Sequence, residues 1–167
     1  MDRLWTPWRY RYISRADSSG GCIFCIKAAE NKDDENYIVY RGRMNFVLLN
    51  LFPYTNGHLM IAPYQHVATL AETPEHALIE MMRLTQRAEI NLRAAYQPHG
   101  FNLGMNVGES AGAGVAGHIH MHVLPRWTGD ANFMSTIGET RVLPEELTTT
   151  YKKLSTLAWA TAKEQTG

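Results

Sequence analysis

The run Gly117-His-Ile-His-Met-His-Val-Leu-Pro-Arg-Trp127 alternates three histidines, His118, His120 and His122, with Ile119, Met121 and Val123. A period of two is the period of an extended strand, whose successive side chains point to opposite faces. On such a strand the apolar set anchors the segment in a core, and the histidines form a row with neighbours roughly 7 Å apart on the other face. A single histidine on a strand is an ordinary polar residue; three in register on a rigid support point to chemistry. Two chemistries fit the row: a three-histidine metal centre, or an imidazole nucleophile flanked by imidazoles that orient it and bind an anion.

The rest of the chain supplies a scaffold for such a strand. Short β-type runs occur at YIVY around Ile38, MNFVLLN to Asn50, GHLMIAP to Pro63, FNLGMNVG to Gly108 and HIHMHVLP to Pro125, which predicts five strands. Thr73-Pro74-Glu75 reads as N-cap, first helical proline and an acid at the positive end, opening a helix to about Gln97. Its predicted apolar stripe is Leu78, Met81, Met82, Thr85, Ala88, Leu92 and Ala95. A second helix from Pro144 carries Leu147, Tyr151, Leu154 and Ala158 on one stripe, with Lys152, Lys153 and Lys163 left for solvent. Consecutive strands with one long helix between the third and fourth predict an α+β fold, an antiparallel sheet with its helices on one face.

With 167 residues, 45% hydrophobic and 19% charged, the chain suits a single domain over residues 22–167. Residues 1–21 form a predicted N-terminal arm. Its Trp5, Trp8, Tyr10 and Tyr12, set among arginines, are expected to pack on the body or a partner subunit rather than stack on a base. Sixteen basic residues balance sixteen acidic ones, so neither a nucleic-acid groove nor an anionic membrane is expected as partner, and any anion must be held locally. No apolar run resembles a signal peptide or approaches the ~20 residues of a membrane span, so the expected location is cytoplasmic.

Cys22 and Cys25 are the chain's two cysteines, too few for a disulfide framework and spaced as half a tetrahedral metal site. His66 and His118 are available to complete it. Zinc on Cys22, Cys25, His66 and His118 would be four-coordinate, closed and therefore structural, leaving His120 and His122 free for chemistry that itself needs no metal. Just ahead of the histidines, the loop from Asn106 to Gly117 contains Gly108, Gly112, Gly114 and Gly117, whose backbone amides can converge on an anion, with Ser110 as a hydroxyl donor.

These motifs together resemble the histidine triad family of nucleotide hydrolases and transferases. The likeness runs in order through Cys22 to Cys25, Asn50 through Pro53 to Gly57-His58, His66, Asn106 to Gly108, Ala111-Gly112 and the triad. The stretches LWTPWR and PRWTGDANF look like a bacterial branch that includes diadenosine tetraphosphate phosphorylases. The resemblance implies a family-type five-stranded sheet that pairs into a homodimer and acts on a purine nucleotide or dinucleoside polyphosphate. It implies His120 as nucleophile on the α-phosphate, His122 at the phosphate and its leaving oxygen, and His118 as the strand's anchor and a zinc ligand. Asn50 would bind ribose, His58 and Asn106 would lie near the phosphates, and Ile23, Phe24, Leu48 and Leu51 would wall the base. Inorganic phosphate or water would take the nucleotidyl group; a purine nucleoside phosphoramidase and a purely nucleotide-binding regulatory module are the alternatives. The loop Ala111–Gly117 departs from the pattern: AGAGVAG stands where most relatives carry a glutamine or serine, leaving that donor role to backbone amides.

Overall fold

A computed structural model of the chain describes residues 21–130 and 144–160. All of the predicted arm except Gly21 lies outside them, as do Lys163 and the end of the PRWTGDANF stretch. The elements are α1 (Ile23–Ala29), the single turn α2 (Asp33–Asn36), β1 (Ile38–Arg41), β2 (Asn45–Leu49), β3 (Leu59–Pro63), α3 (Glu75–Tyr96), β4 (Gly100–Met105), β5 (Met121–Arg126) and α4 (Leu147–Ser155). The five strands form one antiparallel sheet in the order β1-β2-β3-β5-β4, the α+β architecture expected from the sequence.

Alternation along the strands sorts side chains to two faces. On one face Val47, Leu49, Leu59, Ile61, Met121 and Val123 join Met81, Leu84, Ala88 and Leu92 of α3 and Leu154 of α4 in the main core. On the other, Ile38, Phe46, Leu48, Met60 and Ala62 pack with Phe24 of α1. Helices therefore cover both faces: the expectation of one-sided helices fails because α1 supplies Phe24 as a second, smaller lid. The α3 stripe is also rotated from its expected position. Met82 is 56% exposed, while Ala77 and Leu84 are buried instead.

Local chemistry explains several boundaries. Thr73 does not cap α3, because its hydroxyl donates to the Thr69 carbonyl at 2.8 Å. Gln97 ends α3 in a left-handed conformation. Glu80 projects from α3 onto the β1–β2 turn, where its carboxylate accepts the N–H groups of Arg43, Met44 and Asn45 at 2.7–2.8 Å. Gly57 has φ +74, and a Cβ there would lie 2.8 Å from Leu92, so the turn into β3 requires glycine. No helix among the described residues is long and apolar enough to cross a membrane.

Candidate functional site

The histidine row is only partly a strand. The ladder of β5 begins at Met121, because the Ile119 N–H leaves the sheet to donate to the Val67 carbonyl at 2.7 Å. His118 and His120 thus precede the strand, yet both turn toward α1, with the Phe24 ring 5.2 Å from His118 and 4.8 Å from His120. His120 and His122 stand edge to face with centroids 4.8 Å apart.

Hydrogen bonds assign each ring its tautomer. His120 Nδ1–H donates to the His118 carbonyl at 2.8 Å, leaving the Nε2 lone pair free. His58 Nδ1 accepts the Tyr54 N–H at 3.2 Å, so His58 carries its proton on Nε2 and donates it to His122 Nδ1 at 2.9 Å. His122 therefore holds its own proton on Nε2. Asn50 supports this arrangement: its Oδ1 accepts the Phe52 N–H at 2.9 Å and its Nδ2 lies 3.5 Å from His58 Nδ1. The resulting pair is a lone pair on His120 beside an N–H on His122, an acceptor next to a donor.

Burial disfavours the charged forms of His120 and His122. It pushes His122 down to about 4, with His120 adding a smaller effect of the same sign. Burial also lowers His120, partly offset by the bond to the His118 carbonyl. At neutral pH His120 is thereby an uncharged imidazole, the form that can attack.

His118 faces a different group. Its Nε2–H donates to the Pro63 carbonyl at 2.9 Å, and its Nδ1 lies 3.2 Å from Cys22 Sγ and 3.6 Å from Cys25 Sγ. Cys25 Sγ is also 3.4 Å from His66 Nδ1. The donor atoms of Cys22, Cys25, His66 and His118 all lie within 4.8 Å of one another. Two thiols and two imidazoles are a zinc donor set, and the Pro63 carbonyl on the far nitrogen of His118 is the outer partner that fixes a metal-binding tautomer. The three triad rings are not gathered into one such group, since His120 Nδ1 and His122 Nδ1 are committed to a carbonyl and to His58.

Beside the triad, between α1 and the end of β2, lies an open cleft of about 340 Å³. Its walls include Ile23, Phe24, Leu48, Asn50 and Leu51, all expected there, and also Lys27, Leu49, Phe52 and Met60, which sequence reasoning missed. On the opposite flank of β5 the ladder ends at the pair Met105↔Met121, with Asn106 and His120 the next residues beyond it on the two segments. Ser110 sits on an exposed 3-10 turn, Glu109–Ala111, ahead of Gly112 and Gly114, and makes no hydrogen bond to a triad histidine.

Comparison with known proteins agrees with this geometry. Residues 31–129 match the HIT domain family. The chain belongs to the HIT, or histidine triad, family. It is 40% identical to an AP-4-A phosphorylase of Mycobacterium tuberculosis, over 96% of this chain and 85% of that protein. Among solved structures it superposes on a Zn-bound histidine triad family protein from Mycobacterium smegmatis with TM-score 0.65 and 27% identity, covering 81% of this chain and 91% of the other. A hypothetical histidine triad nucleotide-binding protein from Sulfolobus tokodaii gives TM-score 0.64 at 27% identity, covering 80% and 89%. In this HIT chain the triad, the Cys/His group and the cleft share a single support. Helix α1 carries Cys25 to one, Phe24 to another and Ile23 to the third.

Proposed function

We propose that the chain is a dinucleoside polyphosphate phosphorylase working through a nucleotidyl-histidine on His120. The observation that carries this reading is the tautomer pair: His120 with a free Nε2 lone pair and His122 with Nε2–H, both neutral and adjacent. The 40% identity to an AP-4-A phosphorylase supports diadenosine tetraphosphate as substrate and phosphate as acceptor.

In the first step His120 Nε2 attacks the α-phosphorus. An N–P bond forms, the P–O bond to the bridging oxygen breaks, and ATP leaves with that electron pair while His122 Nε2–H hydrogen-bonds the departing oxygen. The positive charge that develops on His120 is shared through Nδ1–H with the His118 carbonyl. In the second step an oxygen of inorganic phosphate attacks the same phosphorus, the N–P pair returns to His120 and ADP is released. The cleft of Ile23, Phe24, Leu48 and Leu51 holds the purine, Asn50 the ribose, and Asn106 the phosphates, with the amides of Gly112 and Gly114 and the Ser110 hydroxyl closing over the chain. His58 is a positioning residue that sets the His122 tautomer.

Structural zinc on Cys22, Cys25, His66 and His118 fits the same reading, closing a tetrahedral site that ties α1 to His118 and taking no part in the displacement. Residues 22–167 act as one domain, with residues 1–21 as an arm, in the cytoplasm. Pairing into a homodimer is supported by Ile79, Met82 and Ile90, each about half exposed along α3, and by the open edge of β4.

Product analysis with diadenosine tetraphosphate, with and without inorganic phosphate, tests the assignment. ADP plus ATP forming only with phosphate is the expected result. AMP plus ATP without phosphate would make the protein a hydrolase. Saturable binding with no turnover of this substrate or of a phosphoramidate would make it a binding module. Metal analysis of wild type and Cys22→Ser tests the zinc site: equal zinc in both refutes it.

A further inference from the structure

Gly104 is the next-to-last residue of β4, and a glycine inside a strand weakens it and calls for a reason. Conformation is not the reason, because its φ is not positive. Packing is not the reason either: a Cβ at Gly104 would meet nothing within 4 Å among the described residues. Besides bulges and bends, a glycine inside a strand often marks a place where a ligand or another backbone approaches closely.

The register says what faces that place. Gly104 pairs with His122 and Asn102 with Leu124, so both lie on the triad's face of the sheet, and Asn106 follows two residues on, just past the Met105↔Met121 pair that ends the ladder. Asn102 and Gly104 are exposed. Arg126 Nη1 donates to Asn102 Oδ1 at 2.6 Å, which turns the amide so that its N–H2 group has no hydrogen bond among the described residues. The Arg126 guanidinium is itself held by Asp130 at 2.5 and 2.9 Å. Between Asn106 and Asn102 there is thus a strip about 13 Å long with amide donors at its ends and bare backbone between. The nucleoside cleft lies on the other side of β5, among α1, β2 and β3.

We infer that this strip, centred on Gly104, is the leaving-group subsite: it receives the polyphosphate chain of the departing nucleotide and makes the site selective for long, phosphate-rich leaving groups. A nucleoside in the cleft with its α-phosphate at His120 leaves the β4 side open to the rest of the substrate. Amide donors suit phosphate oxygens, and Arg126, already paired with Asp130, orients Asn102 rather than acting as a free cation. The inference rests on His120 being the nucleophile of the proposed reaction.

The test compares two substrates sharing the adenylate but not the leaving group, diadenosine tetraphosphate and adenosine 5′-phosphoramidate, on the full chain. In Gly104→Val the ratio of kcat/KM for the tetraphosphate over that for the phosphoramidate should fall roughly tenfold or more, and in Asn102→Ala several-fold, mainly through KM. An unchanged ratio in both variants overturns the subsite. Equal losses on both substrates with a change in sedimentation also overturn it, by making the strip a contact between copies of the chain. Should Gly104→Val fail to fold, Asn102→Ala alone decides. Wild-type turnover of the phosphoramidate but not the tetraphosphate overturns the subsite and leaves the His120 reading standing, whereas turnover of neither removes both.

Discussion

The two faces of the sheet are built for different ends. Under α3 and α4 the buried side chains are almost all apolar, with Ile61, Leu92 and Val123 fully enclosed, and burial there converts directly into stability. Toward α1 the segments leading into β3 and β5 bury His58, His118 and His120 at 4% exposure or less, each hydrogen-bonded. Burying polar rings contributes little to folding, but it sets which nitrogen bears a proton and keeps the ring uncharged. One sheet thus has a face that holds the fold and a face that holds protonation states.

If that division is right, substitutions on the two faces should fail in different ways. His120→Ala should cost on the order of 10⁴-fold or more in turnover with diadenosine tetraphosphate while the melting temperature moves little. Leu92→Ala on the opposite face should do the reverse, lowering the unfolding free energy by about 3–5 kcal/mol in denaturant titrations and sparing kcat in the fraction that remains folded. A catalytic defect in Leu92→Ala of the size seen for His120→Ala would break the comparison.

Acid should separate the faces again. His122 is held at about 4 in the folded chain, against 6.5 for an ordinary histidine, and the rings facing it are His58 and His120. Between these values the unfolded chain binds the proton and the folded one does not. Stability from this group is therefore complete above pH 6.5, falls as pH drops from 6.5 toward 4, and is flat below. The loss should reach up to about 3 kcal/mol. In His122→Phe that slope between pH 6.5 and 4 should become shallower in equilibrium unfolding, the remainder coming from His118 and His120, which burial also lowers. Smallest is the expected effect of His58→Phe, which keeps the ring volume but frees the His122 tautomer. Its kcat should drop about 10²-fold, with KM nearly unchanged and the fold intact by circular dichroism.

Much of the scaffold was legible because its signals are periodic. All five strands overlap their expected runs, although β4 ends at Met105 rather than Gly108 and β5 starts at Met121 rather than His118, and α3 spans nearly its expected length. The site was legible where residues adjacent in sequence act together: Cys22 with Cys25, Gly57 with His58, and the triad itself. Failures came where a distant partner outcompeted the local pattern. The Val67 carbonyl draws the Ile119 N–H away and delays β5, and Thr69 takes the hydroxyl expected to cap α3. Helix α1 went unseen because seven residues around a Cys-x-x-Cys pair carry too short a period to register, so Lys27 was not recognised as part of the cleft wall. Nothing local in Phe52 or Met60 says that they meet α1.

The sequence by itself determined the residue types and their order along the chain: three histidines at period two, a thiol pair upstream and glycines ahead of the triad. Those are properties of spacing, which the covalent chain carries. Only the tertiary structure decided that Cys22 meets His118 across 96 positions, that His58 selects the His122 tautomer, and that α1 rather than a loop closes the cleft. Hydrogen bonds and desolvation depend on distances between segments, and folding alone brings those segments within reach.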